Sequence, residues 1–186
     1  TGDAAKELTK SYANVSKTIV GDFADIGDTL GEVNTRFGVT GEKLEELSAL
    51  YIKFADINGT DVTTAVDSTQ KALAAFGLGA ENAEHLLDAM NATGQRTGVS
   101  VDSLAAGLVT NSAAFSELGL NIFQATEFMG DLEVSGADSS AVLGGLSKAL
   151  KNATAEGKPL DEALAELQSS IVNGADGMDG LTASYE

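Results

Sequence analysis

The stretch "VSGADSSAVL" (residues 134–143) places a glycine two residues ahead of an aspartate, between two apolar runs. Glycine takes the left-handed conformation that ends a helix, and Asp or Ser is suited to cap the next one. The same device stands at Gly59-Thr60-Asp61, Gly98-Val99-Ser100, Gly136-Ala137-Asp138 and Gly174-Ala175-Asp176, with glycines 39, 38 and 38 residues apart. So short a swing leaves the flanking helices antiparallel. The residues singled out are therefore the stops Gly59, Gly98, Gly136 and Gly174 and the caps Asp61, Ser100, Asp138 and Asp176.

Working outward, apolar residues recur at helical spacing on both sides of each turn. Leu44, Leu47, Tyr51 and Phe54 precede the first turn, and Val62, Ala65, Val66 and Leu73 follow it. Other landmarks keep the register: Ala74-Ala75-Phe76 returns as Ala113-Ala114-Phe115, and Lys71-Ala72-Leu73 as Lys148-Ala149-Leu150. Phe37-Gly38-Val39, Phe76-Gly77-Leu78 and Leu118-Gly119-Leu120 open successive units. The expectation is an all-α chain of stacked antiparallel helical hairpins with a period of 38–39 residues. Residues 37–186 hold three hairpins and the start of a fourth. Residues 1–36 form an amphipathic helical segment, with Leu8, Tyr12, Val15 and Ile19, then Phe23, Ile26, Leu30 and Val33, at three- or four-residue steps. That seam reads either as a partner-packing, coiled-coil-like face or as a first helix laid on the repeats.

Composition agrees. The 186 residues suffice for one domain with a real core, or two small ones. Aromatics are 5%, tryptophan is absent and Pro159 is the one proline, a palette for close helix packing. A net charge of −17 repels phosphates and anionic lipid, so specific nucleic-acid binding by this segment is not expected. Without cysteine there is neither a disulfide framework nor a thiolate metal site, which fits a bacterial, viral or cytosolic origin. The longest uncharged run, the 14 residues Ser103–Ser116, is too short and too polar to span a membrane. Thr1 in first place and a helix open at Glu186 suggest a segment of a longer protein.

Candidate chemistry is sparse. His85 is the single histidine and sits beside an apolar stripe, as a surface helical histidine does. Glu42, Glu45 and Glu46 fall in the first turns of a helix, where they complement its dipole instead of forming an acid–base pair. No Gly-x-Ser-x-Gly elbow, phosphate loop or dinucleotide fingerprint occurs. The run "VNGADGMDGL" (172–181) suggests calcium, but the twelfth position from Asn173 is Ser184, where an EF-hand loop needs glutamate. It reads as the fourth glycine stop. No catalytic residue, cofactor or metal ligand is assigned.

Several phrases resemble one family: "GEVNTRFGVTGEKLEELSALYIKFADINGTDV" (31–62), "LDAMNATGQRTGVSVDSLAAGL" (87–108), "AAFSELGL" (113–120), "LSKALKNATAEGKPLDEALAEL" (146–167) and "GLTASYE" (180–186). Together they resemble the core of phage tail tape measure proteins, of the type found in siphophages and prophages of Gram-positive bacteria. The resemblance implies a non-enzymatic virion protein that lies in the lumen of the tail tube and sets its length. It also implies assembly in the host cytoplasm with tail assembly chaperones, the tail tube protein and baseplate or distal tail proteins, self-association in the tail, and release during genome ejection. No catalytic residue carries over. The alternative from a different class is an α-solenoid protein–protein interaction module without catalysis.

Overall fold

The apolar stripes become helices, each closed at the residues that cannot continue it. The computed structural model describes residues 2–19, 23–159, 162, 163 and 165. In chain order the helices are α1 (Gly2–Thr18), α2 (Phe23–Phe37), α3 (Gly41–Asn58), α4 (Val62–Ala75), α5 (Ala83–Thr97), α6 (Val101–Glu117), α7 (Ile122–Ser135) and α8 (Ser139–Ala155). A single 3₁₀ turn, Ala80–Asn82, leads into α5. No strand occurs among the described residues.

Consecutive helices pair as hairpins, and the hairpins stack. α1 touches α3, α3 touches α5 and α5 touches α7, while α2 touches α4, α4 touches α6 and α6 touches α8. The result is two layers of helices with the apolar core between them. The first pair joins the stack like the others, α1 lying on α3 and α2 on α4. Val15, Ile26, Leu30 and Val33 are buried in the core that runs on through Leu73, Leu87, Leu108 and Leu146.

The phenylalanines that recur in the sequence meet in space. Phe76 closes α4 and stacks on Phe115 of α6 at 6.3 Å between ring centres. Phe115 in turn meets Phe128 of α7 edge-on at 6.3 Å. Both separations lie in the favourable range for aromatic pairs. Near the start of the stack, Phe37 at the end of α2 stacks on Tyr51 of α3 at 6.1 Å.

Helices α4, α6 and α8 end alike. Gly77, Gly119 and Gly157 have φ of 70°, 67° and 90°. The next residue's N–H reaches back to the carbonyl of Leu73, Phe115 or Ala153 at 2.9, 3.0 and 3.1 Å. This is the Schellman closure, which satisfies carbonyls otherwise orphaned at a helix end. Mid-helix glycines serve packing instead. A Cβ on Gly130 of α7 would lie 2.3 Å from the Thr93 methyl of α5 and 3.2 Å from that of Thr97. Both threonines are β-branched and stiff at χ1, and the Thr97 hydroxyl is further tied to the Thr93 carbonyl at 2.7 Å. The α5–α7 contact therefore depends on the missing Cβ.

A buried hydroxyl or amide sits in the core face of each helix: Ser11, Thr29, Ser48 and Thr69 in the first four, Thr93, Asn111, Thr126 and Ser147 in the rest. Thr126 and Asn111 satisfy themselves within their own helix, on the carbonyls of Ile122 (2.8 Å) and Gly107 (3.0 Å). The hydroxyls of Ser48, Tyr51, Thr69 and Ser147 make no well-formed hydrogen bond. Burial drives the Tyr51 phenol far above its ordinary pKa, and the neighbouring Thr69 hydroxyl offsets this only in part.

Gly144 of α8 provides the counterpart to Gly130, because a Cβ there meets nothing within 4 Å. We expect Gly130→Ala to destabilise the fold by about 1–3 kcal/mol through overpacking. Gly144→Ala should stabilise it by about 0.5–1 kcal/mol through helix propensity. Urea melts of the two variants measure both signs; equal effects would contradict the packing assigned to α5 and α7.

Candidate functional site

The turns and the outer grooves are where this fold presents its special geometry. Gly59, Gly98 and Gly136 have φ of 64°, 77° and 69°, in the left-handed region. Their N–H groups bond back to Ala55, Gly94 and Glu133 respectively. Asp61, Ser100 and Asp138 have extended backbones and cap the next helix. Their side chains accept from the N–H of Thr64 at 2.8 Å, Ser103 at 3.1 Å and Ala141 at 3.0 Å. Gly174 and Asp176 lie outside the described residues.

The first turn also reaches its neighbour. The Thr60 hydroxyl donates to the Asp102 carboxylate of α6 at 2.9 Å, linking one hairpin's turn to the next hairpin's second helix. Hydrogen bonds from the hydroxyls of Thr63 and Thr64 and the N–H of Thr64 hold the Asp61 carboxyl below its ordinary pKa, the Thr63 hydroxyl contributing most.

Sequence reasoning missed the cap of α7. Asn121 accepts from the N–H groups of Phe123 and Gln124 at 3.0 Å, and the Gln124 side chain accepts from the Asn121 N–H at 3.0 Å. The signal was present in "NIFQ", residues 121–124, which has the Asn-x-x-Gln spacing of a capping box. Ties between hairpins were equally invisible: Arg36 of α2 to Asp67 of α4, Arg96 of α5 to Asp131 of α7 (2.6 Å), and Lys151 of α8 to Glu117 of α6 (3.3 Å). Such exposed pairs fix register more than they stabilise.

Shallow grooves open between successive odd helices. One of about 500 Å³ between α3 and α5 has an apolar floor of Leu47, Leu50 and Ala80. Its rim is Lys43, Glu46, Glu81 and Glu84. The Glu81 carboxyl is held below its ordinary pKa by its own N–H first, then by the Gly79 N–H, Lys43 across the groove and the Asn82 amide. That arrangement keeps it ionised and anchors the 3₁₀ turn. A second groove, between α1 and α3, has Glu45 accepting from Ser11 (2.9 Å) and Asn14 (3.0 Å). His85 is exposed on α5, its ring edge-on to Phe123 at 6.4 Å. Among the described residues no three His, Asp or Glu side chains converge as metal ligands. No described helix is long and apolar enough to cross a membrane.

Paired helices in two layers, joined by left-handed glycine turns and side-chain caps, define an all-α helical-repeat protein. The family model of phage-related minor tail proteins matches residues 2–185, and the chain belongs to that family. Membership makes it a structural component of phage tails, associated with the virion and with other tail proteins. No curated protein and no solved structure matches the chain.

The turns yield two predictions. Gly136→Val should destabilise the fold by about 1–2 kcal/mol, because a β-branched residue is strained at positive φ; Asp138→Ala should lose about 1 kcal/mol of capping. Denaturant melts read both. The second concerns acid. A folded-state pKa below the ordinary 3.8 means that the Asp61 contribution is present at neutral pH and lost as pH falls through the folded value. Asn caps as well as Asp but does not titrate, so the wild-type advantage over Asp61→Asn should shrink between pH 6 and pH 3. A constant difference would contradict the cap's ionised state.

Proposed function

We propose that this segment belongs to a tail tape measure protein, the component whose length sets that of the tail tube. The observation that carries the reading is family membership over residues 2–185, joined to the quoted phrases that resemble tape measure cores. A stack of paired helices in a family of tail proteins supports a structural role. On this reading the chain occupies the tube lumen, assembles in the host cytoplasm with tail chaperones, tube protein and distal tail proteins, and leaves during genome ejection. The net charge of −17 suits a protein that shares a tube with DNA without adhering to it.

A second reading, an α-solenoid interaction module, draws on the groove between α3 and α5, whose carboxylate rim suits a basic partner. The two readings part on tail length. Deleting one 38-residue unit from Ala137 to Gly174 in the phage that carries the chain keeps a glycine stop at the junction. If the segment is a ruler laid out as helix, tails should shorten by about 60 Å in electron micrographs, at about 1.5 Å per residue. Tails of unchanged length would contradict the tape measure reading.

A further inference from the structure

The two layers of the stack differ in charge. Helices α3, α5 with its 3₁₀ turn, and α7 carry ten carboxylates against three cations, whereas α4, α6 and α8 carry three of each. The groove of about 500 Å³ between α3 and α5 lies in the acidic layer. It also stands where the stack departs from its own regularity. Links of three residues (38–40) and four (118–121) lead into α3 and α7, but seven (76–82) lead into α5. The longer link holds the 3₁₀ turn, which sets Ala80 in the groove floor and Glu81 on its rim. α3 and α5 also meet more sparingly than α1 and α3 or α5 and α7.

Two features of this groove find no use within the stack. The first is its floor, where Leu50 and Ala80 stay partly exposed beside the buried Leu47. The second is its charge. Glu81, Glu84 and Asp88 follow at steps of three and four, so one edge of α5 carries three exposed carboxylates. Like charges at that spacing cost a helix stability. Glu46 of α3 stands on the opposite wall, and Lys43 is the one cation among the lining residues. Among the described residues Glu46, Glu84 and Asp88 enter no ion pair.

An apolar trough between two helices, walled by uncompensated carboxylates, is complementary to a helix with an apolar face flanked by lysine or arginine. We propose that the α3–α5 groove docks such a basic amphipathic helix of a partner protein. Apolar side chains one turn apart cover Leu47, Leu50 and Ala80. Cations beside them meet Glu46 on one wall and Glu81 and Glu84 on the other. From Lys43 to Leu50 the groove runs about two helical turns, room for two or three apolar anchors. The rim repels nucleic acid and anionic lipid, and a protein segment is the occupant that uses both floor and rim. This inference deepens the interaction-module reading and rests on it, not on a role in tail length.

The test uses the 186-residue chain and a fluorescent peptide of about four helical turns, with leucines at helical spacing and lysines on both flanks. Its control is a scrambled peptide of the same composition. Fluorescence anisotropy at about 0.15 M salt, where distant charges are screened, should show binding of the first and about tenfold weaker binding of the second. Glu46→Gln with Glu84→Gln should weaken binding about tenfold. Leu50→Ser, at a partly exposed position, should weaken it comparably. Glu127→Gln with Glu133→Gln removes the same charge from α7, outside the groove, and should leave the affinity unchanged. Circular dichroism checks that each variant folds. Equal loss in the α7 pair, or equal binding of the scrambled peptide, would reduce the effect to net charge and overturn the proposal. Binding that neither groove variant weakens would overturn this site while leaving the interaction-module reading standing. A peptide that does not bind at all would sink both.

Discussion

A helix can reverse direction within three residues only if one of them adopts a left-handed backbone and another satisfies the new helix's free N–H groups. Gly59, Gly98 and Gly136 meet the first condition; Asp61, Ser100 and Asp138 meet the second. Everything larger follows from that constraint. Short turns force antiparallel pairs, and equal spacing makes the pairs equivalent. Equivalent amphipathic pairs can bury their stripes only by stacking. The grooves between odd helices are a consequence of the stack, since they lie where one hairpin ends and the next begins.

The core carries more polarity than a helical stack needs. A hydroxyl or amide stands in the buried face of each helix, and those of Ser48, Thr69 and Ser147, with the Tyr51 phenol, lack a well-formed partner. Small residues at these positions let helices approach closely, most clearly at Thr93 against Gly130. They also limit how much apolar area each contact removes from water, which weakens the stack.

Much of this was legible in the sequence, for physical reasons. Glycine at positive φ and a capping carboxylate are local demands, so Gly-Ala-Asp reports its geometry without knowledge of the neighbours. Helical period is likewise local, which is why α3 to α8 could be placed from their stripes. What escaped depends on the third dimension. Nothing in the order of residues says that Arg96 would find Asp131 on α7, or that Gly130 would lie under the Thr93 methyl. Residues 1–36 left two packings open because an amphipathic face does not name what covers it; contact of α1 with α3 and α2 with α4 supplies the answer. The Asn121 cap was legible but overlooked, since it follows a different glycine, Gly119, at the junction between hairpins. The grooves carry no sequence signature at all.

The stack of equivalent hairpins is tested most directly by one distance. Ile57 of α3 and Val134 of α7 are both exposed, each two residues before a glycine stop, and two hairpins apart in the same layer. The chain has no cysteine, so Ile57→Cys with Val134→Cys admits two spin labels and no others. Pulsed dipolar spectroscopy on the free protein should give one narrow distribution. Two steps of helix packing, at 8–10 Å each, put the backbones about 20 Å apart. A broad distribution, or one centred near the roughly 115 Å expected for 77 residues of unbroken helix, would contradict the stack.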